Sequence, residues 1–193
     1  MLTTAQLQTL KAAILADPGM AAQPMTSGGA FAIAAQLNAP ASPAFKVWRT
    51  DVPVDSIIDA ITWASYTPND KVGAADTDPN LSRKIGWLLE IQTKQMNLQL
   101  MLQGRSTLDC SHATLRAGLR DAVIQVPSGA SGAATAPGGS SGVNVMNVCV
   151  RDATLGEKIL AGAQQTTGTV TANVLGYEGT ISSDDVQQAR ELP

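Results

Sequence analysis

Apolar residues recur at helical spacing in several separated stretches of this chain, and the breaks between them are marked by Pro, Gly and Asn. Leu7, Leu10, Ile14 and Leu15 follow Thr3 and Thr4, either of which is placed to cap a helix over residues 3–16, and Asp17-Pro18-Gly19 ends it. Residues 20–30 show no regular period, and Phe31–Leu37 predicts a second short helix stopped at Asn38-Ala39-Pro40. From Ser42 to Pro53 the pattern is extended, with Pro43 and Pro53 bracketing Phe45, Val47 and Trp48. Val54, Ile57, Ile58 and Ile61 then return to the helical period over about 54–64.

The strongest periodic signal runs from Leu81 to Gln103 and carries two apolar stripes. Leu81, Ile85, Leu88, Leu89, Met96 and Leu100 fall on one, and Trp87, Ile91, Leu98 and Leu102 on the other, with Gln95 and Gln99 between them. Arg83, Glu90 and Lys94 occupy the remaining arc. A helix with two apolar sides needs two neighbours, so it is either central in its own domain or packs once inside and once against another subunit. For the second case the stripe expected to meet another chain is Trp87, Ile91, Leu98 and Leu102, because a Trp is the kind of anchor that dominates interfaces.

A further helix is expected from an N-cap at Ser111 to Gln125, stopped by Pro127, with Arg116 and Arg120 on its polar side. The stretch Pro127–Gly142 has five Gly, four Ser and no large apolar side chain, so it predicts a flexible loop or arm. Val143–Val150 (VNVMNVCV) alternates like a strand, although packing could make it helical. Thr154 is set to cap a helix to about Ala163, residues 169–181 are β-rich and divided by Gly176 and Gly179, and Ser182 or Ser183 caps a last helix. The expected fold is mainly α: a helical domain over 1–126, an arm at 127–142, and a strand and helix segment at 143–193 packed on that domain, with a small β element near the C-terminus.

Composition narrows the possible functions. The 193 residues are 44% hydrophobic, 15% charged and 4% aromatic, with a formal net charge of −3. So low a charge content, against roughly 25% in ordinary globular domains, suits a subunit that works packed against copies of itself, since every desolvated charge is costly. Thirteen Lys and Arg against sixteen Asp and Glu leave no basic footprint for sequence-specific nucleic-acid binding. No run of about 18 apolar residues predicts a membrane span, and the chain does not open on a secretory pattern. Cytoplasmic synthesis with Cys110 and Cys149 as free thiols is expected.

Candidate chemistry is thin. His112 is the only histidine, and Cys110 stands two residues from it, but neighbouring positions at a helix start point in different directions and no third orienting group is evident. Asp184-Asp185 has the look of a metal pair, yet acids in a first helical turn are expected from the helix dipole alone. The 127–142 stretch lacks GxxxxGK[ST] and any lysine, so it is no phosphate loop. Arg105, Arg116 and Arg120 are interleaved with Asp109 and Asp121, as on a solvated helix surface. Trp48, Trp63 and Trp87 read as core or interface anchors. No catalytic residue, cofactor or metal site is expected.

Five stretches together are similar to a family of tailed-bacteriophage structural-gene products: LTTAQLQTLKAAILADP, PASPAFKVWRTDVPVDSI, KQMNLQLMLQGRSTLDCSHATLRAGLRDA, PSGASG and YEGTISSDDVQQARE. The chain departs from that family where Val143-Asn144-Val145 replaces a Trp-containing segment and where Leu155-Gly156-Glu157-Lys158 replaces a basic helix start. The resemblance implies a virion component, expected at the head-to-tail junction as a ring-forming adaptor or neck subunit. Its partners would be itself, the portal protein and the tail or nozzle proteins, and it would have no membrane partner. The alternatives are a capsid cement, tail or baseplate protein, or a non-virion assembly chaperone or scaffold.

Overall fold

The computed structural model describes residues 1–63, 81–124 and 139–193, with 81–85, 87–88 and 139–141 described by their backbone alone. The elements are α1 (Thr4–Ala16), α2 (Pro18–Ala21), α3 (Ser27–Leu37), β1 (Lys46–Trp48), β2 (Val52–Pro53), α4 (Val54–Asp59), α5 (Leu81–Leu102), β3 (Thr107–Leu108) and α6 (Ala113–Val123), followed by α7 (Gly139–Val148), β4 (Val150–Asp152), α8 (Leu155–Ile159), β5 (Gln164–Thr167), β6 (Val170–Asn173) and α9 (Ser183–Glu191). They form two compact units. Unit 1 is Met1–Trp48, Arg151–Gln165 and Ala172–Pro193; unit 2 is Arg49–Val150 and Thr166–Thr171.

The mainly α expectation is corrected by a mixed four-stranded sheet in the order β4-β1-β6-β5 and by a second sheet pairing β2 with β3. The β structure is therefore not confined to the C-terminal end. β1 lies between Pro43 and Pro53, a stretch that cannot run as one helix, and its backbone groups must find partners elsewhere. They find one in β6, which runs parallel to β1 with Val47 opposite Asn173.

Unit 1 is built on locally capped helices. The Thr3 hydroxyl accepts from the Gln6 amide N–H at 3.3 Å while the Gln6 side chain accepts from the Thr3 N–H at 2.8 Å. Ser182 and Asp185 form the same reciprocal box at the start of α9, and Thr154 and Glu157 at the start of α8. Asp17 and Thr26 cap α2 and α3. The core is one apolar cluster that includes Leu7, Leu10 and Ile14 of α1, Ile33 and Leu37 of α3, and Ile181, Val186 and Ala189 at α9. Asn38 joins the C-terminal end of α3 to the approach of α9: its Nδ2 donates to the Ile181 carbonyl at 2.8 Å and its Oδ1 accepts from the Ile181 N–H at 2.9 Å. The third helix starts at Ser27, earlier than the pattern of residues 31–37 implies, because Thr26 caps it and Gly29 brings its backbone close to Pro24. A Cβ at Gly29 would stand 2.1 Å from the Pro24 carbonyl oxygen.

In unit 2, α5 packs on α6, α6 on α7, and α4 on β2 and α7. At the α5–α6 crossing Gly118 faces the end of the Met101 side chain, and a Cβ there would meet it at 3.6–3.7 Å, an ordinary van der Waals contact. Three local expectations change here. The N-cap of α6 is His112 instead of Ser111, and its side chain makes no capping bond. Residues 139–148, expected as the end of an arm followed by a strand, form α7; Gly142, Val145, Met146 and Cys149 recur at i, i+3, i+4 and i+7 and are all buried. The helix after Val54 ends at Asp59. The rest of the expected arm, 127–138, lies outside the described residues.

Candidate interaction surface

The sequence of α5 offers two apolar sides, and the structure decides which faces inward. Ile91 and Leu98 are 3% and 5% exposed, inside unit 2, whereas Leu89, Met96 and Leu100 are 59%, 54% and 63% exposed. Of the stripe expected to meet another chain, Ile91 and Leu98 thus belong to the unit's own core. Leu102 is half-buried, and the side chain of Trp87 lies outside the described residues. The outward stripe is the one expected to be internal, with Leu89, Met96 and Leu100 falling within about 20° of one line at 100° per residue.

Lys94 explains the exchange. The sequence pattern places it on the polar arc, yet it is buried between Ile91 and Leu98. Its Nζ donates to the Asp121 carbonyl at 2.7 Å, with Asp121 Oδ1 at 3.8 Å. Asp121 lies in the last turn of α6, where carbonyls have no partner within the helix and the dipole favours a cation. The lysine's methylene stem covers apolar surface while its ammonium caps the neighbouring helix, and the stripe that contains Lys94 becomes the inner one.

The outward side of α5 is almost free of charge. From Ile91 to Gln103 the sequence reads IQTKQMNLQLMLQ, and Lys94, its single charged residue, is buried. What this stretch presents to solvent is therefore Gln, Thr and Asn with Met96 and Leu100. Depletion of charge with enrichment of Met is the compositional mark of interface cores. Beside it, Val54 and Ile58 of α4, Trp63, and Gln95, Leu98, Gln99, Leu102 and Gln103 of α5 line a groove of about 510 Å³. Trp63 Nε1 donates to the Ile58 carbonyl at 3.2 Å, which holds the indole over the end of α4.

The residues weighed for chemistry are dispersed. His112 is exposed, with Nε2 3.3 Å from Asp109 Oδ2. Cys110 and Cys149 are free thiols, both buried. Asp185 is held in the α9 capping box: burial pushes its carboxyl up, but hydrogen bonds from Ser182 outweigh this and leave it below the usual carboxylate range. Arg116, expected on a solvated face, is instead fully buried in unit 2. Its Nη1 donates to the carbonyls of Cys110 and Ser111 at 2.6 and 2.7 Å, and its Nε to Thr167 Oγ1 at 3.1 Å. The signal for this was Arg116's place between Leu115 and Leu119, but its partners are backbone carbonyls of the turn before its own helix and a hydroxyl on β5. Among the described residues no three His, Cys, Asp or Glu side chains gather as a metal site, and no helix is long and apolar enough to cross a membrane. Comparison with family models, curated proteins and solved structures returns no match to this chain.

Proposed function

We propose that this chain is a structural subunit of a tailed-bacteriophage particle, a ring-forming adaptor between portal and tail that joins copies of itself. The observation that carries the self-association is the outward face of α5, where Leu89, Met96 and Leu100 stand in line along about 16 Å of helix and no charged side chain is exposed from Ile91 to Gln103. A helix that keeps this face in water exposes apolar surface without the charges that usually surround it, and a second copy relieves that cost. The assignment to a particle rests on the resemblance of both ends and the middle of the chain to tailed-phage structural proteins.

Mass spectrometry of gradient-purified particles, with sedimentation of the isolated chain, tests both parts. The reading expects the protein in stoichiometric amount in particles and a concentration-dependent oligomer in solution. Its presence in infected cells together with its absence from purified particles would favour the assembly chaperone or scaffold reading. Decoration of the capsid surface, seen in a map of the particle, would favour a cement protein.

A further inference from the structure

Arg120 stands one turn after Arg116 on α6 and, unlike it, makes no hydrogen bond or ion pair among the described residues. It is half-buried against the turn between β5 and β6. Gly168 occupies that turn at φ +66°, and a Cβ on it would come within 2.6 Å of Arg120 Nε, so only a bare glycine lets the guanidinium rest there. Arg120, Ile124, Val143, Met146, Thr167 and Thr169 are among the residues lining a cavity of about 170 Å³ within unit 2.

Nothing in the walls of this cavity answers the charge. No Asp, Glu, Lys or Arg occurs between Asp121 and Arg151, nor between Lys158 and Glu178, so α7 and the β5–β6 hairpin carry no charge at all. Asp121 itself stands at the Lys94 ammonium, with Oδ1 at 3.8 Å. Like charges one turn apart on a helix repel, so an anion at the β5–β6 turn relieves Arg116 and Arg120 together. Thr167 leaves a second group unspent. It is 9% exposed, its Oγ1 accepts from Arg116 Nε at 3.1 Å, and its own O–H has no acceptor among the described residues. A hydroxyl that accepts from a cation keeps its proton for another partner, and a buried donor left without one is costly.

We propose that this cavity binds a carboxylate with a short apolar tail: the Arg120 guanidinium holds the two oxygens, the Thr167 hydroxyl donates to one of them, and Ile124, Val143 and Met146 take the tail. The planar fork of a guanidinium matches the two oxygens of a carboxylate. A phosphate brings more charge and more acceptor oxygens than one guanidinium and one hydroxyl can serve, and the three apolar side chains would strip water from the rest. About 170 Å³, against the roughly 30 Å³ share of one water, gives room for a short acid such as butyrate. The carboxylate belongs either to a free acid of this kind or to an acidic group of a neighbouring copy, and the recognition chemistry is the same. The site does not rest on the virion reading.

The test titrates the isotopically labelled full chain with sodium butyrate, with its neutral analogue butyramide and with inorganic phosphate, following the amides of Gly168 and Thr169 and the methyls of Val143 and Met146 by NMR. Butyrate should shift these resonances saturably, phosphate should bind more weakly, and butyramide should leave them in place. Arg120→Gln, which removes no bond from the fold, should raise the butyrate Kd about tenfold or more, and Arg120→Lys should fall between. Shifts that grow without saturation, binding unchanged in Arg120→Gln, or butyramide binding as well as butyrate would each overturn the proposal. Phosphate binding as tightly as butyrate would overturn the choice of a carboxylate. Sedimentation then separates the two sources, and either result upholds the site. If the carboxylate comes from a neighbouring copy, butyrate and Arg120→Gln both weaken the oligomer; if it is a free acid, the oligomer is indifferent to both.

Discussion

Unit 1 and unit 2 treat their helix ends differently. In unit 1 the groups that cap α1, α8 and α9 come from residues three positions apart in sequence: Thr3 with Gln6, Thr154 with Glu157, and Ser182 with Asp185. In unit 2 the N-caps of α4 and α6, Pro53 and His112, make no side-chain capping bond. Those starts gain no side-chain acceptor, and what unit 2 holds instead is buried cations set on carbonyls. Lys94 of α5 reaches the last turn of α6, and Arg116 of α6 reaches back to the carbonyls of the turn before its own helix and across to Thr167. Local capping makes a helix start independent of its neighbours. Capping from afar makes the end of one helix conditional on the placement of another, and it brings a charge into the interior that only those carbonyls repay.

The largest effect is expected where that condition is removed. Arg116→Leu keeps apolar bulk but strips the donor from the buried Cys110 carbonyl, the part-buried Ser111 carbonyl and the Thr167 hydroxyl. A loss of roughly 3 kcal/mol follows from the cost of such unsatisfied groups. Hydrogen exchange followed by mass spectrometry should show faster exchange at residues 107–123, with α3 and α9 of unit 1 keeping their protection. Equal loss of protection in both would break the comparison, since it would make the caps of unit 1 as conditional as those of unit 2.

A smaller and pH-dependent effect is expected in unit 1 at Glu157. Its carboxylate takes a paired donation from Arg151, at 2.7 and 2.8 Å, and one from the Thr154 N–H at 3.0 Å. Burial pushes this carboxyl up, but these hydrogen bonds outweigh it and hold it below the ordinary carboxylate range. Asp185 is shifted in the same direction. Below a pH of about 4.3, the ordinary value for Glu, the unfolded chain binds protons that the folded chain does not. The stabilisation is therefore complete above that pH and is lost as the pH falls through the lowered folded value. Glu157→Gln should cost about 1–3 kcal/mol near neutral pH and flatten the acid limb of the stability curve, measured by denaturant midpoints across pH. An unchanged acid limb would show that the Arg151 pair contributes nothing to it.

The same contrast accounts for what was legible in the sequence. Thr3, Thr154 and Ser182 are visible as caps because their partners lie within one turn, and the helices they start were read from the pattern. The partner of Lys94 lies 27 positions away; those of Arg116 are Thr167, 51 positions away, and two backbone carbonyls that no side-chain pattern marks, so neither burial is visible to a helical period, and the pattern places both cations on solvated arcs. With Lys94 misplaced, the inner and outer stripes of α5 were exchanged. Residues 143–150 misled for another reason: the β-branched alternation of VNVMNVCV suggests a strand, whereas Gly142, Val145, Met146 and Cys149 form a helical stripe that packing selects. The pairing of β1 with β6 likewise joins residues more than half the chain apart, which no local period records. The charge-free run from Ile91 to Gln103 was present in the text of the sequence, but it becomes a candidate interface only once Lys94 is known to point inward.

The smallest effect on folding, and the one that bears most directly on self-association, is expected on the outward face of α5. Leu100 is exposed, so Leu100→Glu forfeits little buried area, and surface substitutions of this kind stay within about 0.5 kcal/mol. The charge would nevertheless fall in the middle of a face that offers it no partner. In an interface core such a carboxylate is desolvated without compensation, which is costly enough to abolish association. Sedimentation of Leu100→Glu should therefore show monomer at concentrations where the unaltered chain is oligomeric, with circular dichroism and the denaturant midpoint unchanged. Met96→Lys, about one turn earlier on the same line, should behave alike, and the two together should add nothing further once the oligomer is gone. Oligomers that survive both substitutions would move the contact off α5 altogether, leaving this helix as a face of unit 2 that copies of the chain do not use. Loss of fold by either variant would instead show that the face is covered within the chain, and the observation on which the proposed ring rests would be withdrawn.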